Sequence, residues 1–197
     1  MKNTVKTPVL LTLFFLFPLF LPAQLKLPQG NGLGADLRKV IADYPSRFIN
    51  IMGEVKARHE QATDYFCNFK INGAEEAIVT RYSSDREAVV SWEALLLTTD
   101  DFEQARKKFK SLFNQLNHLA VSLNKKVFHL RGNYEEPAEE NKFTALLFVF
   151  DPNEETIKKL KVELLLQYQA PMDWQVKLLV YDKEREDEER SESGDGR

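Results

Sequence analysis

Ala88-Val-Val-Ser-Trp-Glu-Ala-Leu-Leu-Leu-Thr98 is the stretch on which the fold turns, and Phe143-Thr-Ala-Leu-Leu-Phe-Val-Phe150 answers it later in the chain. Successive side chains of a strand point to opposite faces. In the first stretch Val90, Trp92, Ala94 and Leu96 share one face, and Val89, Leu95 and Leu97 the other. In the second, Phe143, Ala145, Leu147 and Val149 are opposed by Leu146, Phe148 and Phe150. Both read as central strands of a sheet, apolar on the two sides.

The likeness continues downstream of each stretch. At an offset of 51, eight of the 22 residues from Trp92 to Phe113 are identical to their counterparts. Ala94-Leu95-Leu96 falls on Ala145-Leu146-Leu147, Asp100 on Asp151 and Glu103 on Glu154. Lys107-Lys108-Phe109-Lys110 falls on Lys158-Lys159-Leu160-Lys161. The matches share a structural meaning (strand, helix cap, helix face), so an internal repeat is expected over about 88–134 and 143–181.

Asp100 and Glu103 form a capping-box pair ahead of a stripe running from Phe102 through Phe109 and Phe113 to Leu123. Asp151, Pro152 and Glu154 give a second helix start, with Pro171 as its end. Trp174, Val176, Leu178 and Val180 alternate in a last strand. Upstream, Leu37, Val40, Ile41, Tyr44, Phe48 and Met52 recur at helical spacing after Asp36, with Pro45 set to end or kink that helix. Tyr65, Cys67, Phe69 and Ile71 alternate into the turn signal Asn72-Gly73, with a return strand at 77–82. The fold class expected is α+β: a two-layer α/β sandwich with an antiparallel sheet. Its core is a duplicated ferredoxin-like (split βαβ) unit, with an N-terminal helix and the 64–82 β-hairpin added.

The ends of the 197-residue chain differ in kind from this domain. Lys2 and Lys6 precede an apolar run from Pro8 to Leu21 that closes on Pro22-Ala23, the parts of a secretory signal over residues 1–23. The run is shorter than the roughly 20 residues of a spanning helix. Leu21 is large for the position three before the cut, which leaves retention of the leader as an anchor open. Residues 24–34 read as a linker, 35–181 as one domain, and 182–197 as a charged tail unable to bury a core. After cleavage no integral membrane segment is expected.

Loss of Lys2 and Lys6 takes the formal charge from −3 to −5. That balance argues against a nucleic-acid partner, which requires a concentrated basic surface. Cys67 is the single cysteine, so no intramolecular disulfide forms. It alternates with Tyr65 and Phe69 and reads as a core residue rather than a nucleophile. His59, His118 and His129 lack ligand spacing, and the acidic run 135–140 lacks a calcium-loop pattern and reads as a solvated loop. Gly30-Asn31-Gly32-Leu33-Gly34 has no strand before it to make a phosphate cradle. No catalytic, cofactor or metal site is expected.

Two surfaces stand out. The lysines Lys107, Lys110, Lys158 and Lys161 sit on the two repeat helices as a candidate basic strip, fit for anionic headgroups at a membrane surface or for an acidic partner. The apolar residues Leu95, Leu97, Leu146, Phe148 and Phe150 form a candidate interface on the sheet, covered by the first helix, a second copy or another protein. The function expected is an exported, periplasmic or extracellular, non-catalytic protein that binds a protein partner or assembles as a homodimer. The alternative is a carrier of a small apolar or amphipathic ligand, and an enzyme ranks below both.

Overall fold

The structure is a computed structural model that describes residues 32–83 and 89–182. The expected leader (1–23), residues 24–31 of the expected linker and residues 183–197 of the expected tail lie outside the described residues.

The first helix, α1 (Leu33–Asp43), buries Leu33, Leu37, Val40 and Ile41 along one stripe. Pro45 ends it in a 3-10 turn over Tyr44–Ser46. Arg47 and Phe48 then take left-handed φ angles of 53° and 56°, which swing Phe48 into full burial. The chain enters β1 at Met52, so the helical spacing of Met52 with Phe48 has no helix behind it.

Four strands come next as a meander: β1 (Met52–Arg58), β2 (Ala62–Cys67), β3 (Glu76–Tyr82) and β4 (Val90–Thr99). The expected hairpin is there, but β2 stops at Cys67. Residues 68–75 form an eight-residue connection in which Gly73 carries a φ of 75°. Helix α2 (Phe102–Leu116) is capped by Asp101, one residue later than the sequence pattern suggests; its Oδ1 accepts the Gln104 N–H at 3.2 Å. His118, at φ 72°, turns the chain out of α2. The next residues make a tight hairpin of β5 (Ala120–Leu123) and β6 (Lys126–Arg131) around left-handed Asn124 and Lys125. Leu119, Ala120 and Leu123, expected at the end of the helical stripe, belong to this turn and strand.

Strands β7 (Phe143–Asp151), β8 (Leu160–Gln169) and β9 (Asp173–Asp182) complete a second meander. Among the described residues nine strands form one antiparallel sheet in the order β1-β2-β3-β4-β9-β8-β7-β6-β5. The α+β class and the antiparallel sheet hold. The split βαβ arrangement does not describe this chain. It would set β4 beside β7, whereas β4 is flanked by β3 and β9, and two strands, β9 and β8, separate it from β7.

The physical reason is in residues 151–169. The cap signals at Asp151, Pro152 and Glu154 yield only one 3-10 turn, Glu155–Ile157. Beyond it Leu160, Val162, Leu164 and Leu166 are buried at a spacing of two, while Lys161, Glu163 and Gln167 alternate with them. A helix would scatter those four leucine and valine side chains around its axis. A strand between β7 and β9 buries all of them. The second copy of the strand–helix unit is therefore a strand hairpin.

Both helices pack into a single apolar cluster with one face of the sheet. Trp92, Phe109, Phe148, Leu164 and Leu178 lie in it, and α2 lies across β4, β9 and β8. Helix α1 reaches the β5 edge, where Arg38 Nε donates to the Ala120 carbonyl at 2.9 Å. The other face of the sheet carries no helix among the described residues.

Candidate interaction surface

The uncovered face is set by parity along each strand. Because Leu146, Phe148 and Phe150 are buried against the helices, Phe143, Ala145, Leu147 and Val149 of β7 turn outward. The register couples these to β8: Ala145 lies opposite Leu165, Leu147 opposite Glu163 and Phe143 opposite Gln167. On β9, Lys177, Leu179 and Tyr181 share that side, and β4 adds Glu93 and Leu95.

The surface has two parts. Under the middle of the sheet Leu165, Leu179 and Tyr181 form a small second core with Ala145 packed against it. Lys177 and Glu93 bridge nearby at 3.0 Å. Beside this sealed centre Phe143, Leu147 and Val149 remain 57%, 42% and 50% exposed. At ~3.4 Å per residue they make an apolar stripe roughly 20 Å long. Arg131 and Asp151, 3.5 Å apart, close one end of it.

Only part of the expected interface lies here. Leu95 faces outward opposite Lys177. A register shift between Leu95 and Leu97 brings Leu97 opposite Val176, where it packs on the main core. Leu146, Phe148 and Phe150 are core residues, 0–5% exposed. Both sides of 143–150 are apolar, so the choice of face comes from β8, whose charged residues fix which side is outside.

The basic strip is dispersed. Lys107 and Lys110 lie on the exposed side of α2. Lys158 is in the β7–β8 turn, paired with Glu155 at 3.0 Å, and Lys161 is on the outward side of β8, across the sheet from α2. The repeat would need a second helix for the last two, and that helix does not form.

Neither a family of known proteins, nor a curated protein, nor a solved structure matches this chain.

The remaining chemistry-bearing residues are scattered. His59 Nε2 lies 3.1 Å from Asp64 on the β1–β2 hairpin, His118 is at the end of α2, and His129 faces outward on β6. Among the described residues no three His, Cys, Asp or Glu side chains converge in the manner of a metal site. No helix among them is long and apolar enough to cross a membrane. Half-buried Cys67 lines an open cleft of about 440 Å3 with Phe66, Phe69, Ile71 and Glu76.

One electrostatic cluster is invisible in the sequence. The connection after β6, residues 132–138, lies on α2 rather than in the sheet. Tyr134 packs on Phe113 at 5.1 Å, and Asn117 Oδ1 accepts the Gly132 N–H at 3.1 Å. Glu136 accepts from Arg106 at 2.6 Å and lies 3.5 Å from Lys110. The hydrogen bond from Arg106 holds the Glu136 carboxyl below its ordinary range. Glu103 and Glu136 together raise Arg106, and burial pushes the Tyr134 hydroxyl up to about 12. At Glu136 the acidic run is a clamp onto α2 rather than a solvated loop.

Proposed function

We propose that this chain is an exported, non-catalytic binding protein that engages another protein, or a copy of itself, through the helix-free face of its sheet. The observation that carries the reading is the row Phe143, Leu147 and Val149, three large apolar side chains left about half exposed on one strand. Contiguous exposed apolar surface is a mark of an interaction site. Aromatic side chains are enriched at the centre of such interfaces. The charged start and apolar run of residues 1–23 support export.

The test is the size of the native assembly. In extracts of producing cells the wild-type chain is expected to migrate above its monomer mass, and Leu147→Lys with Val149→Lys to migrate as a monomer. The purified double variant should keep its stability to within about 1 kcal/mol, because surface changes away from the core cost little. Equal migration of the two proteins would defeat the reading.

A second reading, carriage of a small apolar or amphipathic ligand, draws on the cleft beside α1. Phe66, Phe69 and Ile71 supply its apolar lining, and Lys39 Nζ sits 5.0 Å over the Phe69 ring. Such a carrier would retain a co-purifying molecule visible in native mass spectrometry.

A further inference from the structure

Neither ladder of strand β7 covers its whole length. Toward β8 the ladder runs from Phe143↔Gln167 to Phe148↔Val162. Toward β6 it covers only Val149↔Arg131, Phe150↔Leu130 and Asp151↔His129. Among the described residues, 143–148 therefore have a strand on one flank and none on the other. Among the described residues no backbone hydrogen bond joins 132–138 to that flank. An open strand edge is a row of unpaired N–H and C=O groups, a template for another chain.

The chain's own next segment is poorly suited to the gap. Continuing the β6 register would set Gly132 opposite Phe148, Tyr134 opposite Leu146, Glu136 opposite Thr144 and Pro137 opposite Phe143. Pro137 has no N–H for the ladder. Glu136 would turn to the side of Thr144, which is 8% exposed, and burying a carboxylate is costly unless it is paired. On α2 the same carboxylate meets Arg106 and Lys110. These contacts, with Tyr134 packed on Phe113, place the segment on α2 and not in the ladder.

We propose that the vacant flank of residues 143–148 accepts an extended segment of a partner protein as an added strand. The inference rests on the binding role assigned above to the β7 face and names its mode. The unpaired edge is six residues long, 143–148, closed at one end by β6 and at the other by left-handed Lys142 (φ 54°). A single extended segment fits those bounds, whereas a second copy would bring its own β6 and helix layer against them. Alternate side chains of the incoming segment would lie beside Phe143, Ala145 and Leu147, so apolar residues at every second position are favoured. Strand addition of this kind takes its affinity from main-chain hydrogen bonds and its specificity from alternate side chains.

The probe is a displayed library of random ten-residue peptides, selected on the immobilised full chain. Enriched peptides are expected to alternate apolar residues and to slow amide exchange within 143–148 by about tenfold or more, leaving the β1 edge unaffected. Leu147→Lys should weaken them by about tenfold. Enrichment of no peptide, or protection that falls elsewhere, overturns the proposal. Protection of 143–148 that grows with protein concentration in the absence of peptide also overturns it, in favour of a second copy. If peptides fail while Leu147→Lys with Val149→Lys still dissolves the native assembly, the face reading survives and strand addition does not.

Discussion

Replacing Phe148 by alanine is expected to lower the unfolding free energy by about 3–5 kcal/mol, the range for truncating a buried phenylalanine. Phe148 is fully buried, and its ring stacks on Phe113 at 5.7 Å. Gly132 lies so close that a Cβ there would come within 2.9 Å of the Phe148 ring, so little can collapse into the space without moving backbone. At ~2–4 °C per kcal/mol for a chain of this size, the melting temperature should fall by roughly 6–20 °C. Leu147→Ala, one residue away and 42% exposed, should cost less than about 1 kcal/mol. Urea denaturation of the two variants checks the parity of β7. Comparable losses, or a larger loss at Leu147, would mean that the faces are assigned the wrong way round.

The second large effect belongs to Asp36. The sequence places it at the cap of the first helix. In the structure Gly32 precedes the helix, and Asp36 lies inside it with only 3% of its surface exposed. One carboxylate oxygen accepts from the Asn72 backbone N–H at 2.8 Å and from Asn72 Nδ2 at 2.6 Å. The other lies 3.4 Å from Lys39 Nζ. These bonds fasten α1 to the 68–75 connection between β2 and β3. Hydrogen bonds to a charged group are worth about 1.5–3 kcal/mol, and removing the acceptor leaves its donors to find water. Asp36→Ala should therefore cost roughly 2–4 kcal/mol, with faster amide exchange in 68–75, while Asp36→Asn keeps an acceptor oxygen and about half of the stability. A loss under about 1 kcal/mol for the alanine variant would show that the helix holds that connection by apolar contact alone.

These two residues mark where the sequence is legible and where it is not. Helix α2 up to Leu116 and strand β9 are each read from a single period, and strand β4 from a run apolar on both faces. Residues 158–169 carry two conflicting signals, because Lys-Lys-Leu-Lys after an acidic start looks like a helix while Leu160, Val162, Leu164 and Leu166 alternate. Tertiary pairing decides for the strand: β7 and β9 supply ladders on both sides. The repeat, the basic strip and the expected strand order all depend on that one segment.

The site suffers from a different ambiguity. A strand apolar on both faces says that it is central but not which face is covered, so periodicity alone does not separate Phe148 from Leu147. The Arg106–Glu136 clamp joins residues 30 apart in sequence on separate elements. Spacing on one element can suggest a contact such as Arg106 with Glu103, but not one made by a loop that folds back after an intervening hairpin.

Whether the β7 stripe touches another protein in the cell is measured most directly by site-specific photocrosslinking. A photoreactive amino acid placed in turn at Phe143, Leu147 and Val149 should give one discrete adduct above the monomer. The same group at Lys107, on the exposed side of α2, should give none. Adducts of equal yield at all four positions, or at Lys107 alone, would contradict the assignment of the helix-free face as the working surface.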